Sequence, residues 1–158
     1  MMRVYLMQHG TPVSKEENPE RPLSAEGKKD AEKMGDFLKK CGISVEEVFH
    51  SGKTRARETA EIMISKVAPL LRAEVKGGLS PLDDVKGIAD HIQSTQKNLM
   101  IAGHLPHLAK LTSLLVTGDE SAPIVRFQQG GVVCLEKDDG GKWAVAWMLV
   151  PEIIQETN

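Results

Sequence analysis

The chain has 158 residues, 41% of them hydrophobic and 27% charged, which is ordinary for a globular protein and enough for one domain with its own core. The formal net charge of −2 excludes the strong positive field that draws a protein to nucleic acid or to an anionic membrane. No apolar run approaches the roughly 20 residues of a membrane helix, and the N-terminus lacks the pattern of a secretory signal, so we expect a cytoplasmic protein. The sequence contains no repeat and no linker, which predicts a single domain over residues 1–158.

The first predicted element is the apolar strand VYLMQ, which ends at Gln8 and is followed by His9 and Gly10. Glycine permits the sharp exit that a strand end needs, but a histidine just before that turn is unexpected. The polar segment over residues 11–22 is rich in turn residues and predicts a surface loop.

A first helix is predicted after Ser24, which is a typical N-cap residue, and Gly42 is a plausible stop. The apolar residues at helical spacing in it are Ala31, Met34, Leu38 and Cys41.

The remaining elements follow in alternation and end in a hairpin. They are a short strand and turn over residues 46–52, helices over 53–67 and 81–92, a buried strand over 98–104, a helix over 108–118, and two strands around a Gly-rich turn over 130–150. This order predicts a three-layer α/β/α fold with a mostly parallel central sheet and a late antiparallel hairpin.

Two apolar strands deliver a histidine at their carboxyl ends, namely His9 after the first strand and His104 at the end of NLMIAGH. Between them, VFHSGKTRARET ends a strand and enters a helix that carries Arg55. Carboxyl ends of parallel strands meet at one edge of a sheet, so these side chains are predicted to converge there. Arginine binds phosphate through paired hydrogen bonds and a neutral histidine can be a nucleophile, which favours phosphoryl chemistry.

Three segments, MQHGT, SGKTRARET and AGHLP, resemble the signature segments of the histidine phosphatase superfamily, the branched group that also contains the phosphoglycerate mutases. RPLSAEG, SGKTRARETA and GHLPHL are most similar to the small SixA-type phosphohistidine phosphatases within it. The resemblance runs over almost the whole chain in the expected order, and it implies a phosphoglycerate mutase-like fold and a metal-independent phosphatase without a cofactor.

The resemblance also implies roles for individual residues. His9 matches the histidine that becomes phosphorylated, Arg55 the phosphate-binding arginine, and His104 the second histidine, which contacts the transferred phosphoryl group. Arg21, in RPLS, matches an arginine that reaches the pocket from the first loop. Apart from the resemblance, Thr11 and Ser51 are interpreted first as turn-forming residues, and Thr11 can also offer a hydroxyl to the phosphate.

The chain departs from the family at Gln8, because the family motif is Arg-His-Gly and here its first position is a glutamine. An amide keeps hydrogen-bond donors but brings no charge. A charged hydrogen bond contributes about 1.5–3 kcal/mol, so an uncompensated loss would weaken phosphate binding by about one to two orders of magnitude.

The general acid is the second departure, because no carboxylate lies in a clear motif. Asp83 and Asp84 are the nearest candidates, and Asp83 is the possible acid. The competing interpretation is that both cap a helix N-terminus, where aspartate is favoured.

The remaining histidines and cysteines indicate no metal site. His104 and His107 are three residues apart, but no carboxylate or cysteine stands at ligand spacing beside them. Cys41 and Cys134 show no CxxC pattern and are expected as reduced thiols in or near the core.

We therefore expect a phosphatase that removes phosphate from phosphohistidine on a protein such as a phosphotransfer domain, through a phospho-His9 intermediate. Two alternatives stay open. One is a phosphatase for a small phosphate ester, which would depend on Asp83. The other is a module that binds phosphorylated partners, with Gln8 marking lost catalysis.

Overall fold

The structure is a computed structural model that describes residues 1–155, so the last three residues of the expected 1–158 domain lie outside it. The strands are β1 (Met2–Gln8), β2 (Glu47–His50), β3 (Ala73–Val75), β4 (Leu99–Gly103), β5 (Val132–Lys137) and β6 (Trp143–Leu149). The helices are α1 (Ala25–Lys40), α2 (Thr54–Val67), α3 (Lys86–Ser94) and α4 (His107–Thr117), and one 3-10 turn spans Pro151–Ile153.

The strands form one six-stranded sheet in the order β3-β2-β4-β1-β5-β6. The first four in this order pair in parallel, whereas β5 is antiparallel to β1 and β6 is antiparallel to β5. The predicted α/β fold with a late antiparallel hairpin is confirmed. Parallel strands covered on both faces have continuous apolar sequences, which is why β1 and β4 could be recognised.

Side chains alternate across the sheet and build one core on each face. On β1, Val4 and Leu6 join the core under α3 and α4, while Tyr5 and Met7 join the core under α1 and α2. Gln8, which ends β1, is on the same face of the sheet as Val4 and Leu6, and only 8% of it is exposed.

Helix boundaries largely follow the sequence signals. Ser24 is the N-cap of α1, and its hydroxyl oxygen accepts a hydrogen bond of 3.0 Å from the backbone N–H of Gly27, as predicted. α4 ends at Gly118 in the left-handed conformation (φ 81°) that glycine adopts without strain.

Two elements correct the sequence prediction. The predicted helix over residues 81–92 begins only at Lys86, because the carboxylates of Asp83 and Asp84 accept backbone N–H groups of Ser80 and Lys86 in turns before it. The three-residue strand β3 was not predicted at all, because so short a segment carries no periodic pattern.

The expectation for the cysteines is correct for Cys134 and wrong for Cys41. Cys134 is buried, and burial raises the pKa of its thiol to about 12. Cys41 is exposed because it is the C-cap of α1, beyond the last turn of the buried helix face. Among the described residues, no helix is both long and apolar enough to cross a membrane.

The turn after β1 lies directly against the first turn of α1. A Cβ atom on Gly10 would lie 2.9 Å from the Gly27 carbonyl oxygen, and one on Gly27 would collide with the Thr11 carbonyl oxygen. These two glycines therefore allow the close backbone approach that places His9 beside α1.

We predict that Gly27→Ala destabilises the protein by about 1–3 kcal/mol, because the added methyl group overpacks a rigid backbone contact. Gly87→Ala in α3 is the matched control. A Cβ there meets nothing within 4 Å, so this change should stabilise the protein by up to about 1 kcal/mol. Urea unfolding of both variants measures the effect, and equal stability of the two would contradict the close approach.

Candidate active site

Three neighbouring parallel strands, β2, β4 and β1, end at the same edge of the sheet. Each is followed by a polar residue: Ser51 after β2, His104 after β4 and His9 after β1. Gln8 lies level with Gly103 in the pairing of β1 with β4, and the His9 N–H donates to the Gly103 carbonyl at 3.0 Å. The His9 and His104 rings are therefore close, with centroids 5.1 Å apart and planes inclined by 54°.

His9 is held as a neutral imidazole with a known tautomer. Its Nδ1 lies 2.7 Å from the Gly10 carbonyl oxygen. A carbonyl can only accept, so Nδ1 carries the proton and the lone pair is on Nε2. Burial lowers the pKa of His9, and the charges of Arg55 and Arg21 lower it further, while the bond to Gly10 opposes them. A neutral ring with a free Nε2 lone pair is the form that can attack phosphorus.

His104 is also neutral. Its Nε2 lies 2.7 Å from the hydroxyl oxygen of Ser51, and its Nδ1 is buried without a hydrogen-bond partner. Burial is the main cause that lowers the pKa of His104 to about 3, and neighbouring groups, among them His9 and Arg55, contribute. At neutral pH the uncharged form of this ring therefore predominates, and it can still form hydrogen bonds.

Two arginines supply positive charge around the histidines. Arg55 lies in the first turn of α2, and burial together with the Arg21 guanidinium lowers its pKa. Within the described part of the chain neither guanidinium forms a salt bridge. Two neighbouring cations without a protein counter-ion form a site for an anion with more than one charge.

Arg21 is held by a strained backbone. It has φ 48°, the only positive φ of a non-glycine residue in the described part of the chain, and its Nε donates to the Val13 carbonyl at 3.2 Å. Such a conformation costs about 1–3 kcal/mol and is concentrated at functional sites. The strain is consistent with a requirement for a guanidinium at this place.

The other predicted substrate-binding residues lie around the same strand end. Gln8 is buried, and its Oε1 has no hydrogen-bond partner. The Thr11 hydroxyl, which was expected to face the phosphate, donates to Oε1 of Gln129 at 3.0 Å. Both roles stay predictions.

The possible general acid, Asp83, lies in the turn before α3. Its exposed carboxylate accepts the Ser80 N–H at 2.9 Å, and its charge acts on the pKa of His107. The charged neighbours that shift the pKa values of His9 and His104 are arginine and lysine, with no carboxylate among them. His107 itself is buried and its Nε2 donates to the Gly78 carbonyl at 2.7 Å.

Sequence reasoning missed two residues that position the site. Ser51, interpreted as a turn residue, contacts His104. Thr59 accepts the Gly10 N–H at 3.1 Å and donates to the Arg55 carbonyl at 2.8 Å, which ties α2 to the turn that carries His9. The signal for Thr59 was its spacing of four residues from Arg55 on the same helix face.

In the described part of the chain, no group of three or more His, Cys, Asp or Glu side chains is arranged to hold a metal ion. The arrangement of two neutral imidazoles and two guanidiniums at the carboxyl edge of a parallel sheet is that of a phosphoryl-transfer enzyme.

The family model of the histidine phosphatase superfamily (branch 1) matches residues 4–83, half of the chain. The chain therefore belongs to this superfamily and is a phosphatase. The matched segment contains His9, Arg21 and Arg55, whereas His104 lies beyond it.

Three comparisons with known proteins cover nearly the whole chain. The chain is 26% identical to the phosphohistidine phosphatase SixA of Escherichia coli K12 over 155 residues, 95% of this chain and 94% of the relative. A solved structure of the protein histidine phosphatase SixA with tungstate has the same fold, with a TM-score of 0.86 at 23% identity over 98% of this chain and 100% of that one. The alpha-ribazole phosphatase of Shigella flexneri also shares the fold, with a TM-score of 0.79 at 17% identity over 99% and 100%.

The lowered pKa of His104 predicts acid sensitivity of the fold. Below the ordinary pKa of 6.5 the unfolded chain binds a proton at this histidine, whereas the folded chain does not until about pH 3. Stability should therefore fall as the pH drops through this window, by up to about 1.4 kcal/mol per pH unit from this group.

His104→Gln should flatten the decrease in the free energy of unfolding between pH 6.5 and pH 4, whatever it does to stability at neutral pH. Urea unfolding across this range gives both slopes, and Gln96→Ala at an exposed position provides a control. An unchanged slope in His104→Gln would show that His104 is protonated in the folded protein.

Proposed function

We propose that the chain is a phosphohistidine phosphatase that removes phosphate from a phosphorylated protein through a covalent phospho-His9 intermediate. The observation that carries the proposal is the neutral His9 ring, with its proton fixed on Nδ1 by Gly10 and its Nε2 lone pair free beside His104. The relative named phosphohistidine phosphatase SixA, which matches nearly the whole chain, supports this substrate class.

The first step transfers the phosphoryl group from one imidazole to another. His9 Nε2 attacks the phosphorus, and the bond between phosphorus and the substrate nitrogen breaks. A substrate ring that carries a proton on its other nitrogen leaves as neutral imidazole, and phospho-His9 keeps its own proton on Nδ1. No proton changes place in this step, so it needs no general acid.

This proton balance explains why a site without a nearby carboxylate suits phosphohistidine better than a phosphate ester. An ester leaves as an alkoxide, which must be protonated by a positioned acid. The charged groups that act on the pKa values of His9 and His104 include no Asp or Glu.

Arg55 and Arg21 bind the phosphoryl oxygens in both steps, and the neutral His104 contributes a hydrogen bond as charge builds on them. In the second step water attacks the phosphorus of phospho-His9. Dihydrogen phosphate leaves with the protons of the water, and His9 returns to its neutral form.

A second candidate is a catalytically weakened member of the superfamily that mainly binds phosphate or phosphorylated proteins. Gln8 favours it, because a buried amide replaces the charged arginine of the family motif. In that case vanadate binds but phospho-His9 does not form.

The deciding experiment measures phosphate release from a phosphohistidine-bearing phosphotransfer domain by the native chain, His9→Ala and Asp83→Asn. We expect native turnover, a loss of more than about a thousandfold in His9→Ala, and little change in Asp83→Asn. An alkaline detergent quench and mass spectrometry should detect phospho-His9 in the native chain.

Vanadate binding without any turnover would support the binding module. Efficient turnover of sugar or aryl phosphates that disappears in Asp83→Asn would instead establish an ester phosphatase.

Gln8→Arg tests the cost of the missing charge. We expect the affinity for orthovanadate to rise about tenfold to a hundredfold, because a charged hydrogen bond replaces a neutral one. Isothermal titration measures it, with Gln96→Arg as a control at an exposed glutamine that precedes β4, at the opposite end of that strand from His104. An unchanged affinity in Gln8→Arg would show that Arg21 and Arg55 already supply all the charge the site uses.

A further inference from the structure

An apolar groove of about 360 Å³ includes Leu105, the residue that follows His104. We call it the rim groove, and it is lined by Leu105, Ala109 and residues 123–127. Phe127 is buried, whereas Leu105 and Ile124 are 38% and 45% exposed. Large apolar side chains grouped at the surface mark binding sites more often than single ones do.

Both walls of the rim groove are connected along the chain to residues at the histidine site. Leu105 directly follows His104. On the other wall, the chain beyond Phe127 reaches Gly130, whose N–H donates to the carbonyl oxygens of Gln8 and His9 at 3.0 and 3.2 Å. A molecule that places a phosphoryl group at His9 therefore has its adjoining surface over the groove.

The rim groove is also cationic. Its lining residues include one cation, Arg126, and no aspartate or glutamate. The chain as a whole has 22 acidic and 20 basic residues, so this balance differs from the average.

We propose that the rim groove is a docking surface for the phosphorylated protein, which presents an apolar side chain and acidic residues next to its phosphohistidine. The proposal rests on the proposed function. Charge complementarity indicates the partner: its acidic residues face Arg126, while its apolar side chain fills the space between Leu105 and Ile124. A small phosphorylated metabolite would occupy the histidine site and leave the groove empty.

The test compares three substrates: free phosphohistidine, a phosphohistidine peptide flanked by leucine and glutamate, and a peptide of equal length flanked by serine and lysine. We expect the native chain to turn over the leucine–glutamate peptide with a kcat/KM about tenfold or more above the other two. Ile124→Glu and Arg126→Glu should remove this advantage and leave the turnover of free phosphohistidine unchanged.

Leu70→Glu and Arg72→Glu are the matched controls, because both residues are exposed and lie beyond the C-terminus of α2, far from its first turn at Arg55. They should keep the advantage of the leucine–glutamate peptide. Equal kcat/KM for all three substrates would overturn the docking surface. So would a decrease in Ile124→Glu that is the same for free phosphohistidine and for the peptide, because it would report a damaged active site.

A failure of the proposed function is distinguishable from a failure of the docking surface. If no substrate is hydrolysed, both peptides are rebuilt with a non-hydrolysable phosphohistidine analogue and their binding is measured by fluorescence anisotropy. Tighter binding of the leucine–glutamate peptide, lost in Ile124→Glu, would retain the docking surface without catalysis. Equal binding of the two peptides would overturn it.

Discussion

The site depends on the parallel pairing of β1 with β4, in which Gln8 lies level with Gly103. Backbone hydrogen bonds in this pair place the next residue of each strand, His9 and His104, at the same height on the edge of the sheet. The ladder continues to β2, which brings Ser51 into contact with His104. The distances between these side chains are therefore set by the sheet, while Arg55 comes from the first turn of α2 and Arg21 from the loop after β1.

Electrostatics gives this geometry its chemical character. Burial disfavours the charged form of both imidazoles, while Arg55 and Arg21 remain as fixed cations that repel each other. The site thus combines two neutral imidazoles with two guanidinium cations, a charge that a phosphoryl dianion would balance.

The positions of the two histidines and of Arg55 could be predicted from the sequence, because the patterns that indicate them are local. Each histidine ends an apolar run, and Arg55 lies in the first turn of a helix that follows a strand. The contacts of Ser51 with His104 and of Thr59 with Gly10 depend on which strands become neighbours, and no local pattern reports that. The positive φ of Arg21 could not be predicted from a local pattern either, since it depends on how residues 11–23 form a loop closed by the bridge between Pro12 and Leu23. The late start of α3 was missed because turn hydrogen bonds of Asp83 and Asp84, which compete with helix formation, outweighed the periodic pattern. The strand β3 was missed because three residues are too few to show a period.

The use of main-chain groups to place His9 has a consequence for the sequence around it. Its amide is bonded to Gly103 and its ring to the Gly10 carbonyl, and every amino acid other than proline provides the same backbone groups. The bonds that hold His9 therefore depend little on the identity of the neighbouring side chains, and a solved structure at 23% identity has the same fold with a TM-score of 0.86.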